Sequence, residues 1–93
     1  MPTLTLLDKV RAALRITANA YDVELDAMIE AAKQDLKVSG GIDITGAESD
    51  ALLTMAIITY CRCHFGTPDD YDRLKASYDE QKAQLMSATG YGL

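Results

Sequence analysis

Apolar residues recur at helical spacing in four stretches of the chain, separated by polar or glycine-containing segments. In the first stretch, Thr5 and Asp8 form a capping-box-like start, with Asp in place of the usual Glu or Gln. A first helix is therefore predicted from about Thr5 to Leu14, with Ile16 entering the core after it and a loop over residues 17–21. The apolar stripe of this helix is Leu6, Val10, Ala13 and Leu14.

The second stretch has the most regular helical repeat in the chain. Asp22 is a good N-cap, and Gly40 and Gly41 are residues typical of the position just past a helix end. A second helix is therefore predicted between these signals, followed by a loop over residues 39–47 with room for a very short extended piece at 42–45. The repeating apolar positions are Leu25, Met28, Ile29, Ala32 and Leu36.

The third stretch is the most apolar, so its helix is predicted to lie centrally in the fold. The pattern places it from about Glu48 to Phe65, where Gly66 caps it and Pro68 prevents its continuation. Its predicted buried face is Leu52, Leu53, Ala56, Ile57 and Tyr60.

The fourth stretch predicts a helix from about Asp69 to Ser87 with only a narrow apolar stripe. Such a stripe on a long helix suits packing at an edge or against another subunit. The stripe is Tyr71, Leu74, Tyr78 and Leu85.

These elements predict a single all-α domain over residues 1–93, a small bundle of four main helices with a short loop between the second and third. A chain of this length buries a modest core. Residues 88–93 are few and glycine-containing, and are expected to form a flexible tail. The residues expected to be buried together are Leu25, Ile29, Leu53, Ile57, Tyr60 and Leu74.

The charge is distributed unevenly along the chain, whose formal net charge is −5. Residues 1–20 carry one acid against three bases, whereas residues 21–46 carry six acids against two bases. An acidic surface repels phosphate, and sequence-independent DNA binding needs a net basic footprint. The alternative to a structural role is a small helical DNA-binding regulator or packaging-accessory protein. Such a protein would need a basic recognition helix.

Few residues in the chain suggest catalytic or metal chemistry. On a helix Cys61 and Cys63 point in different directions, and Cys61 with His64 supplies only two of the four ligands of a structural zinc. His64 is the sole histidine and has no glycine-rich elbow beside it. No catalytic, cofactor-binding or metal residue is therefore predicted, and an enzyme or a toxin–antitoxin component would need a convergent pair of titratable groups.

Two cysteines at this spacing favour a reduced, intracellular setting. No signal peptide is expected from the first residues, and no run approaches the roughly 18 apolar residues of a membrane span. The protein is therefore expected to have no membrane partner.

Five residues are candidates for contacts with other subunits or partners. Arg11 and Arg15 are four apart and are predicted to share one face of the first helix. Asp69 and Asp70 open the fourth helix, and Tyr91 lies in the expected tail. The four charged residues also have a plainer interpretation: a solvated basic face for the arginines, and stabilisation of the positive helix end for the acids.

Two groups of residues carry a resemblance to a known protein family. The first is Leu14-Arg15-Ile16, then Asp22, Leu25 and Met28-Ile29-x-Ala31-Ala32. The second is Ala56-Ile57-Ile58-x-Tyr60, then Phe65-Gly66, Asp69-Asp70, Tyr78 and Leu85. In this order the chain resembles the tailed-phage head–tail connector proteins, also called adaptor or DNA-packaging proteins, from about Thr5 to Leu85.

The resemblance implies a structural subunit of a phage or prophage virion, located at the head–tail junction and made in the bacterial host cytoplasm. It implies a ring of about twelve copies beneath the portal protein. The ring would extend the DNA channel, let DNA pass without specific binding, and offer a docking surface to the next connector or tail protein. The segment from about Ser87 to Leu93 would reach the portal.

Overall fold

The computed structural model describes residues 5–66 and 68–93, and within these ranges the chain folds into four α-helices. They are α1 (Leu6–Leu14), α2 (Asp22–Gln34), α3 (Ala51–His64) and α4 (Tyr71–Ser87), and a π-helical turn (Asp35–Ser39) continues α2. The only extended pairing in the described ranges is an isolated antiparallel bridge between Ile42 and Gly92. The predicted all-α bundle of four helices is confirmed.

Helix α1 starts with the predicted capping box. The backbone N–H of Asp8 donates to Thr5 Oγ1 at 3.1 Å, and the backbone N–H of Thr5 donates to Asp8 Oδ2 at 3.1 Å. The helix ends at Arg15, whose backbone is left-handed (φ 59°, ψ 39°). Because Arg15 does not continue the helical geometry, the prediction that Arg11 and Arg15 share one helix face is wrong.

The π-helical turn at the end of α2 is bonded to α4 through side chains. Asp35, the first residue of the π-helical turn, accepts hydrogen bonds from the Tyr78 hydroxyl at 2.5 Å and from Lys82 Nζ at 3.0 Å. Burial raises the pKa of Asp35, but the bonds from Tyr78 and Lys82 outweigh it and lower the pKa overall. The turn ends at Ser39, beside the predicted glycine stop.

Helix α3 begins at Ala51, three residues later than predicted. A turn consumes residues 46–49, with the backbone N–H of Asp50 donating to Gly46 O at 2.8 Å. Asp50 Oδ1 then caps the helix by accepting from the N–H groups of Leu52 at 2.9 Å and Leu53 at 3.1 Å. Leu52 is 54% exposed whereas Leu53 is buried, so the predicted burial of Leu52 is wrong.

The core forms around α3, which packs against α1, α2 and α4. Leu25, Ile29, Leu53 and Ile57 are buried in one cluster, as predicted. Tyr60 and Leu74 were expected there too, but both are half-buried at its margin.

Residues 88–93, named here the tail segment, lie against the loop that follows the π-helical turn. The backbone N–H of Asp43 donates to Tyr91 O at 2.7 Å, and the N–H of Leu93 donates to Gly41 O at 3.0 Å. The chain turns back through Gly90, whose φ of 96° favours glycine. Backbone pairing and a half-buried Tyr91 place the segment against this loop, and the expectation that it is flexible stays a prediction.

Candidate functional site and assembly surfaces

Arg11 joins two helices of its own chain. Its Nε and Nη2 donate to the two carboxylate oxygens of Asp22 at 2.9 and 3.2 Å, and its Nη1 donates to Asp8 at 3.3 Å. The hydrogen bond to Asp22 is the main reason that the pKa of Arg11 is raised. Because its donors are engaged within the chain, Arg11 fastens α1 to the start of α2.

Arg15 has a different environment from Arg11. It is exposed at the C-terminal cap of α1, and its left-handed backbone turns the chain out of the helix. Of the two arginines predicted to meet a partner, Arg15 is the one whose side chain stands on the surface.

The two acids before α4 also have different environments. Asp70 is the residue before the helix, and its carboxylate pairs with Arg73 one turn on, which lowers the pKa of Asp70. Asp69 is exposed. The structure therefore leaves Asp69 more accessible to a partner than Asp70.

Tyr91 is not the free anchor that the sequence suggested. Its ring packs against the core, and its hydroxyl donates to Asp50 Oδ2 at 2.8 Å. This contact spans 41 positions of the chain and has no local sequence signal.

The structure shows an apolar groove between α3 and α4 that the sequence reasoning missed. Its volume is about 290 Å³. Gln81 lines the groove, and its buried amide oxygen has no hydrogen-bond partner among the described residues. The residues that would have indicated the groove are Leu52 and Met55, which are 54% and 51% exposed on one side of α3. The lining residues are Leu52, Met55, Gln81, Gln84, Leu85 and Ala88.

Most of the cations of the described residues have partners in the same chain. Lys9 and Arg62 donate to backbone carbonyls, whereas Arg15 and Lys37 are exposed. Of the three bases of the N-terminal segment, only Arg11 is paired with carboxylates, whereas Lys9 bonds to a neutral carbonyl and Arg15 is exposed. The cations paired with carboxylates are Arg11, Lys33, Arg73, Lys75 and Lys82.

The residues with possible redox or metal chemistry do not converge. Cys61 and Cys63 are both buried free thiols, and burial raises the pKa of Cys61 to about 12. His64 is exposed, with its ring 4.3 Å from that of Tyr60. Across residues 5–66 and 68–93, no three His, Cys, Asp or Glu side chains are grouped to hold a metal ion.

Among the helices described here, none has the length and apolar character needed to cross a membrane. Among the candidate contact sites discussed above, the apolar groove, Arg15 and Asp69 are open to partners.

The chain matches a known protein family. A family model described as "Phage connector protein" matches residues 6–92, which is nearly the whole chain. No curated protein and no solved structure matches the chain. The family is structural, and its members assemble with other proteins of the phage head and tail. Because the match runs from the first turn of α1 to the tail segment, the chain belongs to the phage connector protein family.

Proposed function

We propose that this protein is a ring-forming subunit of the head–tail connector, docking beneath the portal and extending the DNA channel towards the tail. The observation that carries the proposal is the family match over residues 6–92. Closed rings are built from heterologous contacts, in which each subunit presents two different surfaces. In this role the protein is a virion component made in the host cytoplasm, in a ring of about twelve copies.

The open surfaces of the molecule support an assembly role. The groove between α3 and α4 exposes half of the Leu52 and Met55 side chains, and burying such apolar surface favours association. Arg15 and Asp69 are charges on two different connections of the bundle, before α2 and before α4. Opposite charges at separate sites suit a head-to-tail contact between neighbouring copies.

The electrostatics support passage of DNA without tight binding. The formal net charge is −5, and five of the nine lysines and arginines are paired with carboxylates. Phosphate contacts need cations that are free to release counterions from DNA. We therefore expect weak, salt-sensitive DNA binding from the isolated protein.

The test is assembly on purified portal rings. The protein is incubated with portal and examined by negative-stain electron microscopy and native mass spectrometry. The expected result is a closed ring of about twelve copies on one face of the portal. A folded protein that does not associate with portal at any concentration would overturn the proposal, and tight sequence-selective DNA binding would favour the regulator.

One pair of variants tests the charged contact. Arg15→Glu changes an exposed cation and leaves the Arg11–Asp22 bond intact, so we expect normal folding with reduced portal loading. Lys37→Glu makes the same charge change on the exposed side of the π-helical turn and is the matched control. Equal loading by both variants would remove Arg15 from the interface.

A second pair tests the groove. Leu52→Gln places a polar group on its wall, whereas Val38→Gln makes a similar change at an exposed position on the π-helical turn. If the groove is covered in the ring, only the Leu52 variant loses assembly. Circular dichroism of both variants separates loss of assembly from loss of fold.

A further inference from the structure

The contacts of the tail segment are of a kind that two copies of the chain can exchange. Two backbone hydrogen bonds join Asp43 to Tyr91 and Leu93 to Gly41, and the Tyr91 hydroxyl adds one bond to Asp50. We name Gly41–Asp43 together with Asp50 the tail seat. An empty seat leaves the N–H of Asp43 and the carbonyl of Gly41 without these partners.

Seat and tail segment meet only because the chain reverses direction between them. It leaves α4 in an extended conformation at Ala88 (φ −81°, ψ 140°) and turns back at Gly90 (φ 96°). If residues 88–90 straighten, the segment points away from its own seat. Three extended residues reach about 10 Å, which is enough to enter the seat of an adjacent copy.

From this arrangement we propose that the tail seat is an exchange site for a second copy of this chain, in which residues 91–93 of one subunit pair with residues 41–43 of its neighbour. Exchange keeps every contact between a segment and a seat, because every copy carries the same seat and the same segment. In an assembly the neighbour's segment is held at a high effective concentration, so it can compete with the subunit's own segment for the seat.

The apolar groove gives a reason for a second copy to lie within reach. Residues 88–90, whose straightening would release the segment, are named here the hinge. Ala88 is both the first residue of this hinge and part of the groove wall, which also includes Leu52. Leu52 in turn lies two residues after Asp50 of the tail seat. A copy that covers the groove therefore lies beside the hinge. The inference rests on the ring proposed above only as the source of such a neighbour.

Disulfide trapping tests the exchange directly. Ile42 and Gly92 are opposite each other in a non-hydrogen-bonded pair, a geometry with a short Cα–Cα distance that suits a disulfide. One copy carries Ile42→Cys and a second, longer tagged copy carries Gly92→Cys. Neither copy can close this bridge within itself, so a mixed disulfide on a non-reducing gel reports an exchanged tail. The two native thiols, Cys61 and Cys63, are buried and burial raises the pKa of each, so both have little thiolate to compete.

Controls distinguish exchange from collision and from misfolding. The same-chain double variant, Ile42→Cys with Gly92→Cys, should close within one chain at low concentration and shows that the altered seat still folds. Pairing Gly92→Cys with the exposed position Glu48→Cys measures random contact. A second opposed pair, Asp43→Cys with Tyr91→Cys, leaves the buried Ile42 in place.

The expected result is a mixed disulfide between the cysteines at positions 42 and 92. It should be at least tenfold more abundant than the disulfide between positions 48 and 92, both in concentrated protein and in portal-bound rings. Mixed cross-linking at or below the control level, while the double variant closes within its own chain, would overturn the exchange. Portal-bound rings that form without mixed cross-links would refute the exchange but leave the connector ring standing. Mixed cross-links from folded protein that does not bind portal support the exchange and count against the connector ring.

Discussion

Tyr91 and Asp50 are joined by a hydrogen bond of 2.8 Å that connects the tail segment to the start of the central helix. Asp50 has one oxygen for each task, since Oδ1 caps α3 and Oδ2 accepts from the Tyr91 hydroxyl. The bond from the backbone N–H of Leu53 is the largest cause of the lowered pKa of Asp50, and the bond from Tyr91 adds to it. The cap of α3 and the position of the tail segment are therefore coupled through one carboxylate.

Removing the hydroxyl by Tyr91→Phe should loosen the tail segment without unfolding the bundle. The expected result is severalfold faster hydrogen exchange at the amides of Asp43 and Leu93, which take part in the bridge. Tyr71→Phe, which changes an exposed tyrosine on α4, is the matched control. Unchanged exchange in the Tyr91 variant would mean that backbone pairing alone holds the segment.

Stability should fall in acid. Backbone hydrogen bonds from Thr5 to Asp8 and from Leu53 to Asp50 lower the pKa of each carboxyl below its ordinary value of 3.8. A carboxyl with a lowered folded pKa stabilises the protein fully above about pH 5, and this contribution is lost as the pH falls through the folded value.

Thermal melts between pH 7 and pH 2 check this expectation. The melting temperature should be level down to about pH 5 and fall below about pH 4. Asp50→Asn should flatten part of that fall, because the amide oxygen still caps α3 but no longer titrates. A melting temperature that rises on acidification would contradict the assignment of these carboxylates.

Gly40 is required by a close approach of backbone and side chain. A Cβ at this position would lie 2.7 Å from the carbonyl oxygen of Leu36 and 2.9 Å from Cδ1 of Ile42. Gly40→Ala should therefore lower the free energy of unfolding by about 1–3 kcal/mol. Gly46→Ala is the matched control, because a Cβ there meets no atom within 4 Å, and a change within about 0.5 kcal/mol is expected in urea melts.

The face of α3 can be tested with three leucine and isoleucine truncations. Leu53→Ala and Ile57→Ala remove fully packed side chains and should each cost about 2–5 kcal/mol. Leu52→Ala removes a side chain that is half exposed, so a much smaller cost is expected. If Leu52→Ala and Leu53→Ala lower the free energy of unfolding by similar amounts in denaturant melts, α3 must turn a different face to the core.

Local sequence signals predicted the helices well because those signals act within a few residues. The capping box of Thr5 and Asp8 and the glycine stop after Ser39 are both present as expected. The start of α3 was misplaced because both Glu48 and Asp50 are reasonable helix-start residues. The backbone bond from Asp50 to Gly46, which makes residues 46–49 a turn, has no signature of its own.

Contacts between distant parts of the chain account for most of what the sequence did not predict. Arg11 was expected to face a partner, but Asp22 lies within reach once the loop after α1 folds back. The tail segment was expected to be free because its composition is that of a loop, yet its main pairing uses backbone atoms that composition does not encode. The groove depends on how α3 and α4 pack, which periodicity within a single helix does not specify.

The central position of α3 has a consequence for how the sequence can change over time. Its side chains face three neighbouring helices, and even its threonines at 54 and 59 are buried with their hydroxyls bonded to backbone carbonyls. Substitutions at its buried positions disturb the whole bundle at once. Helix α4 buries only Tyr78 and Leu85, so most of its surface is under no such constraint. Divergence between related phages should therefore accumulate on α4 much faster than on α3, and adaptation to a new neighbour in the particle can proceed there while the bundle is retained.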